Sequence, residues 1–288
     1  MNQYLGVDLA WGEGSVRKRA NETGLVAIDE HGTVHHAGWA RGIDDVAGWL
    51  MAVARPGAII AIDAPLVIPN RTGMRLSERQ VGMGYGRWHV AANASNSSMG
   101  WMGGVTLRRR LEAAGFSYLD GTRPADPVGR GFFECYPYTT IVGMVELGYD
   151  DKRPRYKRPV RGLPAVEARQ VRAAACDELV RRVAALTTAF PPLDITSHPV
   201  TAALLEPAPL NTVDYKHRED LLDAVLCAWT ASIWHAHGDA RVQVLGGDGI
   251  GELDDEGRRA TIVAPARDSQ RVAGRPLRVL PAPVTLDP

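Results

Sequence analysis

The sequence lacks the features that mark membrane-spanning and disulfide-bonded proteins. No hydrophobic run approaches the roughly 20 residues that a membrane-spanning helix needs. No basic start followed by an apolar segment opens the chain, so we expect no signal peptide. The three cysteines, Cys135, Cys176 and Cys227, are far apart in sequence and form no CxxC pair. This spacing argues against a disulfide framework or a zinc site and favours a cytoplasmic location.

Net charge is also absent, because 33 basic and 33 acidic residues cancel. The strongly basic composition of a nonspecific nucleic-acid binder is therefore excluded, and contacts with phosphates would need local patches. Two such patches exist, the arginines at 108–110 and the denser segment 152–161, which holds six cations and a tyrosine. We expect Lys157, Arg158 and Arg161 to steer a phosphate backbone. The alternative is a solvated loop, since most charge runs are only that.

Several catalytic motifs are missing. The chain has no GxSxG turn, no GxxxxGK[ST] loop and no strand–GxGxxG–helix unit. A serine hydrolase of that type, a P-loop enzyme and a Rossmann enzyme are therefore unsupported. The histidine pairs at 35–36 and 235–237 each come from one short stretch, which supplies only part of a zinc site. We interpret them as surface or turn residues.

Length and residue patterns predict one α/β domain. A chain of 288 residues suits a single large unit with insertions, which we place at about 66–130 and 148–210. Short apolar runs at 3–9, 24–29 and 34–39 predict an antiparallel meander. A helix at 43–54 then leads to a fourth strand, 58–63, which a right-handed crossover makes parallel to the first.

The remaining pattern is less regular. The segment 75–104 has poor periodicity and predicts an irregular insertion. A fifth strand is predicted at 131–136. Further helices are predicted at 106–114, 139–147, 165–189 and 215–237, and further strands at 242–245 and 260–264.

Two of the predicted strands end on an aspartate. Asp8 closes the run QYLGVD, and Asp63 closes AIIAID. An unpaired buried carboxylate is costly, and the carboxyl ends of neighbouring parallel strands are where α/β sheets bind ligands. We therefore expect Asp8 and Asp63 to lie side by side. The alternative is that each only caps a turn or a helix start.

Three further acids are candidates for the same site. Glu134 lies inside the apolar fifth strand, GFFECY, where a carboxylate needs a partner or a metal unless the strand is an edge strand. Asp220 and Asp223 are three residues apart in the predicted last helix, so they face the same way. Two like charges on one helical face repel each other unless a positive group lies close to them.

These acids predict metal-dependent chemistry. Oxygen-only ligands suit Mg²⁺ or Mn²⁺ better than zinc. We expect Asp8, Asp63 and Asp223 to hold two such ions, with Asp220 or Glu134 as a further ligand or base. Two ions roughly 3.5–4 Å apart can activate a water and stabilise the leaving oxygen in phosphodiester cleavage.

Four motifs carry a resemblance to a known family. In chain order they are GVDLAW, AIDAPL, FFECYP and EDLLDAVLCAWTA, and together they resemble the DUF429 family of predicted ribonuclease H-like nucleases. The resemblance implies a mixed five-stranded sheet of order 3-2-1-4-5, with strand 2 antiparallel and helices on its faces. By the resemblance, Asp8 and Asp63 match the acids of strands one and four. Asp220 and Asp223 resemble the paired acids on the last helix of RuvC-type resolvases, and Glu134 fits an E-x-x-P motif.

Three functions remain open from the sequence. The leading hypothesis is a metal-dependent nuclease acting on a nucleic acid. The second is an ATP-dependent phosphotransferase or ATPase of the same superfamily, in which GVDLAWGEGS would form the phosphate-binding hairpin, although no second hairpin or Gly-rich adenosine motif is present. The third is a noncatalytic nucleic-acid-binding module whose acids serve structure only.

Overall fold

A mixed six-stranded sheet forms the centre of the computed structural model, which describes residues 2–12, 20–100, 102–247 and 252–274. The hairpin suggested for GVDLAWGEGS and the Gly/Asp-rich turn after residue 247 lie partly outside the described residues. Within the described residues, no helix combines the length and the apolar character that crossing a membrane would require.

The sheet has the order β3-β2-β1-β4-β6-β5. Its strands are β1 (Gln3–Asp8), β2 (Glu22–Asp29), β3 (Val34–Arg41), β4 (Ile59–Ile62), β5 (Ser117–Tyr118) and β6 (Gly131–Glu134). Strand β2 is antiparallel to both of its neighbours, whereas β1, β4, β6 and β5 run parallel. The order differs from the prediction by one strand, because β5 extends the edge beyond β6. Two residues are too short to show an alternating pattern, so the sequence did not reveal β5.

Seven α-helices lie among the described residues: α1 (Ile43–Val53), α2 (Leu76–Tyr85), α3 (Gly103–Ala113), α4 (Pro137–Gly143), α5 (Ala165–Ala184), α6 (Pro199–Ala202) and α7 (Thr212–His237). A two-stranded antiparallel ribbon, β7 (Val242–Leu245) with β8 (Ile262–Pro265), completes the fold.

Helix α2 corrects the prediction that 75–104 is irregular throughout. Its apolar periodicity is weak because glycines and polar residues interrupt the sequence LSERQVGMGY. The helix begins instead through a capping arrangement, in which the Arg75 backbone N–H donates to Glu78 Oε2 at 2.9 Å and the Arg75 side chain pairs with Glu78 Oε1 at 2.9 Å. A charged pair at a helix start carries no hydrophobic signal, so a periodicity argument misses it.

Side chains that alternate along the strands divide the interior into two cores. On one face of the sheet, Tyr4, Ile59 and Phe133 pack with α7. On the other face, Leu5, Val7 and their neighbours pack with α1 and α3. Successive strand residues point to opposite faces of the sheet. Whether a residue occupies an odd or an even position along its strand (its parity) therefore decides which core, and which site, its side chain can reach.

Helix α7 lies directly on the backbone of β1 and β2. A methyl group at Gly6 would lie 1.9 Å from the Ala224 carbonyl oxygen, and one at Gly24 would lie 2.1 Å from the Asp220 carbonyl oxygen. Such distances are too short for any side chain, so only glycine permits this approach. The two glycines therefore let the carboxylates of α7 come within reach of the strand ends.

Candidate active site

The ends of β1 and β4 bring the first two predicted acids together. Val7 and Ile62 are partners in the parallel register, and the Asp63 N–H donates to the Val7 carbonyl oxygen at 2.8 Å. Asp8 and Asp63 follow these two partners, so they leave the sheet at the same edge and, by alternation, toward the same face. That face is the one on which α7 packs.

Asp223 of α7 joins them from above the sheet. One carboxylate oxygen each from Asp8, Asp63 and Asp223 lies within 4.8 Å of the other two. The Asp223 side chain is completely buried. Three separate elements, two strand ends and one helix, thus supply the group that we call the acidic triad.

A lysine and a tyrosine from the basic segment compensate the charge of the acidic triad. The Lys157 Nζ lies 2.6 Å from Asp223 Oδ2 and 3.8 Å from Asp63 Oδ2. The Tyr156 hydroxyl donates to Asp223 Oδ1 at 2.6 Å. Burial by itself would lower the pKa of Lys157, but the carboxylates of Asp223, Asp63 and Asp8 raise it well above its usual value. Lys157 is therefore a charged ammonium held against the triad.

Asp220, one turn earlier on α7, shares a proton with Asp8. Its side chain hydrogen bonds to Asp8 and lies 2.5 Å from the Lys216 Nζ. Burial, followed by the Asp8 charge, raises the pKa of Asp220 to about 9. Because the pKa values of Asp220 and Asp8 are both raised, the two carboxyl groups share a proton, and this proton makes the hydrogen bond between them.

The two strand-end carboxyl groups are also perturbed. Burial, followed by the Asp223 charge, raises the pKa of Asp8 above its ordinary value. Burial raises the pKa of Asp63 further, and Asp8 and Asp223 add to this effect against the opposing influence of Lys157. Shifted carboxyl groups clustered in one cleft are typical of functional sites, although structural ion-pair networks also produce them.

Glu134 is not brought into the acidic triad. It is the register partner of Ile62, so it points to the sheet face opposite to Asp63. There it forms a two-pronged ion pair with Arg75, with Nη2–Oε1 at 2.6 Å and Nη1–Oε2 at 2.8 Å. It also accepts the Leu66 N–H at 3.0 Å. Glu134 thereby holds the loop that follows Asp63.

A cavity of about 820 Å³ opens beside the triad. Asp8, Asp63 and Asp220 line it, and every cation of the segment 152–161 faces it. This set includes the predicted Lys157, Arg158 and Arg161, and it adds Lys152, Arg153 and Arg155. The cavity thus has an acidic side and a basic side, and we call the segment 152–161 the basic loop.

The basic loop is anchored on the segment after α2. The Arg153 N–H donates to the Trp88 carbonyl oxygen at 3.0 Å, and Arg153 Nε donates to the His89 carbonyl oxygen at 2.7 Å. The Arg153 guanidinium also lies 4.2 Å from the centroid of the Tyr138 ring. These contacts fix the loop over the cavity.

One family model covers most of this architecture. The model of the DUF429 family, described as a protein family of unknown function, matches residues 6–246. The chain belongs to the DUF429 family. No curated protein and no solved structure gives a significant match. All five predicted acids of this DUF429 protein fall within the matched residues.

Sequence reasoning missed two residues of the DUF429 site, Tyr156 and Lys216. Lys216 had a detectable signal, because it precedes Asp220 by four residues and so shares its helical face. It is the positive neighbour that two like charges on one face require. Tyr156 had only its position inside the basic loop, which does not predict where its hydroxyl group points.

The chemistry of the triad fits a hard divalent cation. It offers oxygen donors only, from three carboxylates close enough to share one ion, and such donors suit Mg²⁺ or Mn²⁺. Asp223 Oδ2 is buried, and its partner is the Lys157 ammonium at 2.6 Å. The three acids could therefore hold a metal where they now hold a lysine.

Proposed function

We propose that this DUF429 protein is a metal-dependent nuclease that hydrolyses phosphodiester bonds of a nucleic acid. The observation that carries the proposal is the acidic triad, in which two strand ends and one helix place three carboxylates within 4.8 Å of one another. The cavity beside the triad has a basic side suited to phosphates. Acid and basic sides in one cavity are what phosphoryl chemistry at a metal needs.

A ribonuclease H-like fold is part of the proposal. The first three strands form an antiparallel meander, and β4 and β6 continue the sheet in parallel. Carboxylates stand after β1 and β4 and on the last long helix, as the family resemblance implies. The added strand β5 lies at the far edge and does not touch this arrangement.

Each residue has a proposed role. Asp8, Asp63 and Asp223 would hold Mg²⁺ or Mn²⁺. Two such ions would activate the attacking water and stabilise the leaving oxygen. Asp220 shares a proton with Asp8 at the edge of the triad. Glu134, in contrast, would act through Arg75 as a positioning residue for the loop after Asp63.

The basic loop would bind the phosphates that flank the scissile bond. Contacts from Lys and Arg to a phosphate backbone supply affinity and orientation without reading sequence. Arg158 and Arg161 line the cavity, and no ion pair to either of them occurs among the described residues. They are thus available to a phosphate, whereas Lys157 must first leave Asp223.

The test compares wild type with Asp8→Asn for cleavage of single-stranded, duplex and branched nucleic acids in the presence of Mn²⁺. We expect Asp8→Asn to abolish cleavage and to leave the melting temperature unchanged or higher, since burial already disfavours the charged form of Asp8. Asp45→Asn, an exposed acid on α1, is the matched control and should cleave normally. Full Mn²⁺-dependent cleavage by Asp8→Asn would refute the proposal.

A noncatalytic nucleic-acid-binding module is the second candidate. The ion pair of Lys157 with Asp223 favours it, because the acids already have a counter-charge within the chain. In that case nucleic-acid binding would be insensitive to EDTA, and Asp63→Asn would change stability alone. Measuring binding and melting temperature with and without EDTA separates the two candidates.

A further inference from the structure

Two aromatic side chains line the cavity together with Asp63. Trp11 follows the end of β1, and Tyr136 follows the end of β6. Both are partly exposed, and both line the main cavity as well as a small adjoining recess that also contains Asp63 and Asn93. These rings take no part in holding a metal, so their position in the cavity with an acid of the triad needs another explanation.

Tyr136 is fixed in place. Its hydroxyl donates to the Ala91 carbonyl oxygen at 3.1 Å, and its ring packs edge-on against Tyr138, with the ring centroids 5.8 Å apart. Tyr138 itself is buried, and Arg153 and Lys157 lie over its ring. Tyr136 and Trp11 are thus the aromatic side chains that offer partly exposed rings beside Asp63.

We propose that the substrate of this site is single-stranded nucleic acid, with its bases stacked on Trp11 and Tyr136 and its phosphates on the basic loop. This inference rests on the proposed function and names its substrate class. Aromatic faces beside a cationic track are the means by which proteins bind single strands without reading sequence. In a duplex the bases stack on one another, so rings inside a cavity would find no unstacked base as a partner.

The size of the cavity supports the same conclusion. At about 820 Å³ it falls in the roughly 300–1,000 Å³ range of pockets that enclose small ligands. A duplex is bound over an extended surface, with roughly 1,000–2,500 Å² of protein buried in specific complexes. The cavity therefore suits a ligand of a few unpaired nucleotides better than a continuous double helix.

The number of cations argues against a single phosphate group as the ligand. Six Lys and Arg residues of one ten-residue segment line the cavity. Lys157 is paired with Asp223 and Arg153 anchors the loop, which leaves Lys152, Arg155, Arg158 and Arg161, to which no ion pair occurs among the described residues. Several cations along one loop suit successive phosphates of a strand, each of which carries one negative charge. Asn93 adds a donor and an acceptor beside the rings, where the edge of a stacked base would lie.

The test is fluorescence anisotropy in EDTA, so that no cleavage occurs, with a labelled short oligothymidine and a labelled hairpin duplex of equal length. We expect the single strand to bind at least tenfold more tightly than the duplex. Trp11→Ala and Tyr136→Ala should each weaken single-strand binding by about fivefold to a hundredfold, the range expected for a lost base–aromatic stack. Trp11→Phe and Tyr136→Phe, which keep a ring, should retain most of the affinity.

Trp49→Leu is the matched control, because Trp49 is a partly exposed tryptophan that packs against the opposite core. It should bind the single strand as wild type does. Equal or tighter binding of the duplex, or alanine variants with wild-type affinity, would overturn the inference. Inorganic tripolyphosphate that competes as well as the oligothymidine would overturn it too, because tripolyphosphate has charge and no bases.

This inference and the proposed function can fail separately. Tight, ring-dependent binding of the single strand without cleavage in Mn²⁺ would refute the nuclease and leave the ligand assignment standing. Cleavage of duplex in preference to single strand, if it is lost in Asp8→Asn, would support the nuclease and refute the assignment of a single-stranded substrate.

Discussion

Replacing Lys157 by methionine is expected to destabilise the metal-free protein and to strengthen its binding of Mn²⁺. Methionine keeps the length of the side chain and removes its charge. The Nζ lies 2.6 Å from Asp223 Oδ2, and the Lys157 side chain is 21% exposed. At such a distance the direct attraction is about 6 kcal/mol for an effective dielectric constant near 20. Desolvation of both groups offsets much of this.

The net effect follows from what remains after the change. Removing one member of a buried ion pair leaves the other charge unpaired and typically destabilises by about 3–5 kcal/mol. Because Lys157 keeps some contact with water, we take the lower end, about 3 kcal/mol. For a chain of this size that corresponds to a fall in melting temperature of roughly 6–12 °C.

The effect on metal affinity has the opposite sign. In the wild type, Lys157 must leave the triad before a divalent ion can bind, whereas in the variant the triad has no competing cation. If the whole 3 kcal/mol were recovered, the affinity would rise by about a hundredfold, since about 1.4 kcal/mol is tenfold. We expect a gain of at least tenfold.

Isothermal titration with Mn²⁺ measures the affinity, and thermal melting in EDTA and in Mn²⁺ measures the stability. Mn²⁺ should restore the melting temperature of Lys157→Met, because a ligand that binds only the folded state stabilises it. Lys152→Met is the matched control, since Lys152 lines the same cavity from the same loop and no contact of it with the triad occurs among the described residues. Weaker Mn²⁺ binding by Lys157→Met than by wild type would refute this reasoning.

Three further predictions concern stability. Gly6→Ala should lower the free energy of unfolding in urea by about 1–3 kcal/mol or more, because the added methyl group meets the backbone of α7. Gly38→Ala is the control, since Gly38 has open space around it, and it should change stability by no more than about 0.5 kcal/mol. Glu134→Gln should destabilise by about 1.5–3 kcal/mol, because it removes one of the two carboxylates that pair with Arg75 and leaves Glu78 as the remaining one, while Mn²⁺ affinity measured by titration stays within a few-fold. For Asp29, burial raises the pKa but hydrogen bonds lower it, so that overall it lies below 3.8. The charged Asp29 therefore stabilises the fold fully above pH 3.8, and this stabilisation is lost as the pH falls through the lowered pKa. Acid unfolding monitored by circular dichroism should become less steep in Asp29→Asn.

Each of these has a contradicting outcome. Equal destabilisation by the two glycine variants would show that contact with α7 is not the cause. Loss of Mn²⁺ binding in Glu134→Gln would show that Glu134 contributes to the metal site. An acid transition that is unchanged in the Asp29 variant would mean that its hydrogen bonds contribute nothing.

Much of the site could be predicted from short-range pattern. Asp8 and Asp63 each follow an apolar strand, and parallel neighbours end at one edge, so local sequence and one topological rule bring them together. Asp220 and Asp223 share a helical face for an equally local reason. Glu134 shows the limit of this reasoning. An acid at a strand end reaches the triad only if its side chain points to the face on which α7 packs, and that face depends on the register between strands.

The amino-acid sequence by itself determined most of the strands and helices, the acids at their ends and the cations of the basic loop, because these follow from residue spacing within a few turns or pleats. Only the tertiary structure decided that Gly6 and Gly24 let α7 touch the sheet, that Lys157 enters the acidic triad, and that Arg75 takes Glu134 away from it. Contacts of this kind join segments far apart in the chain. They depend on packing distances and strand register, which local propensity does not contain.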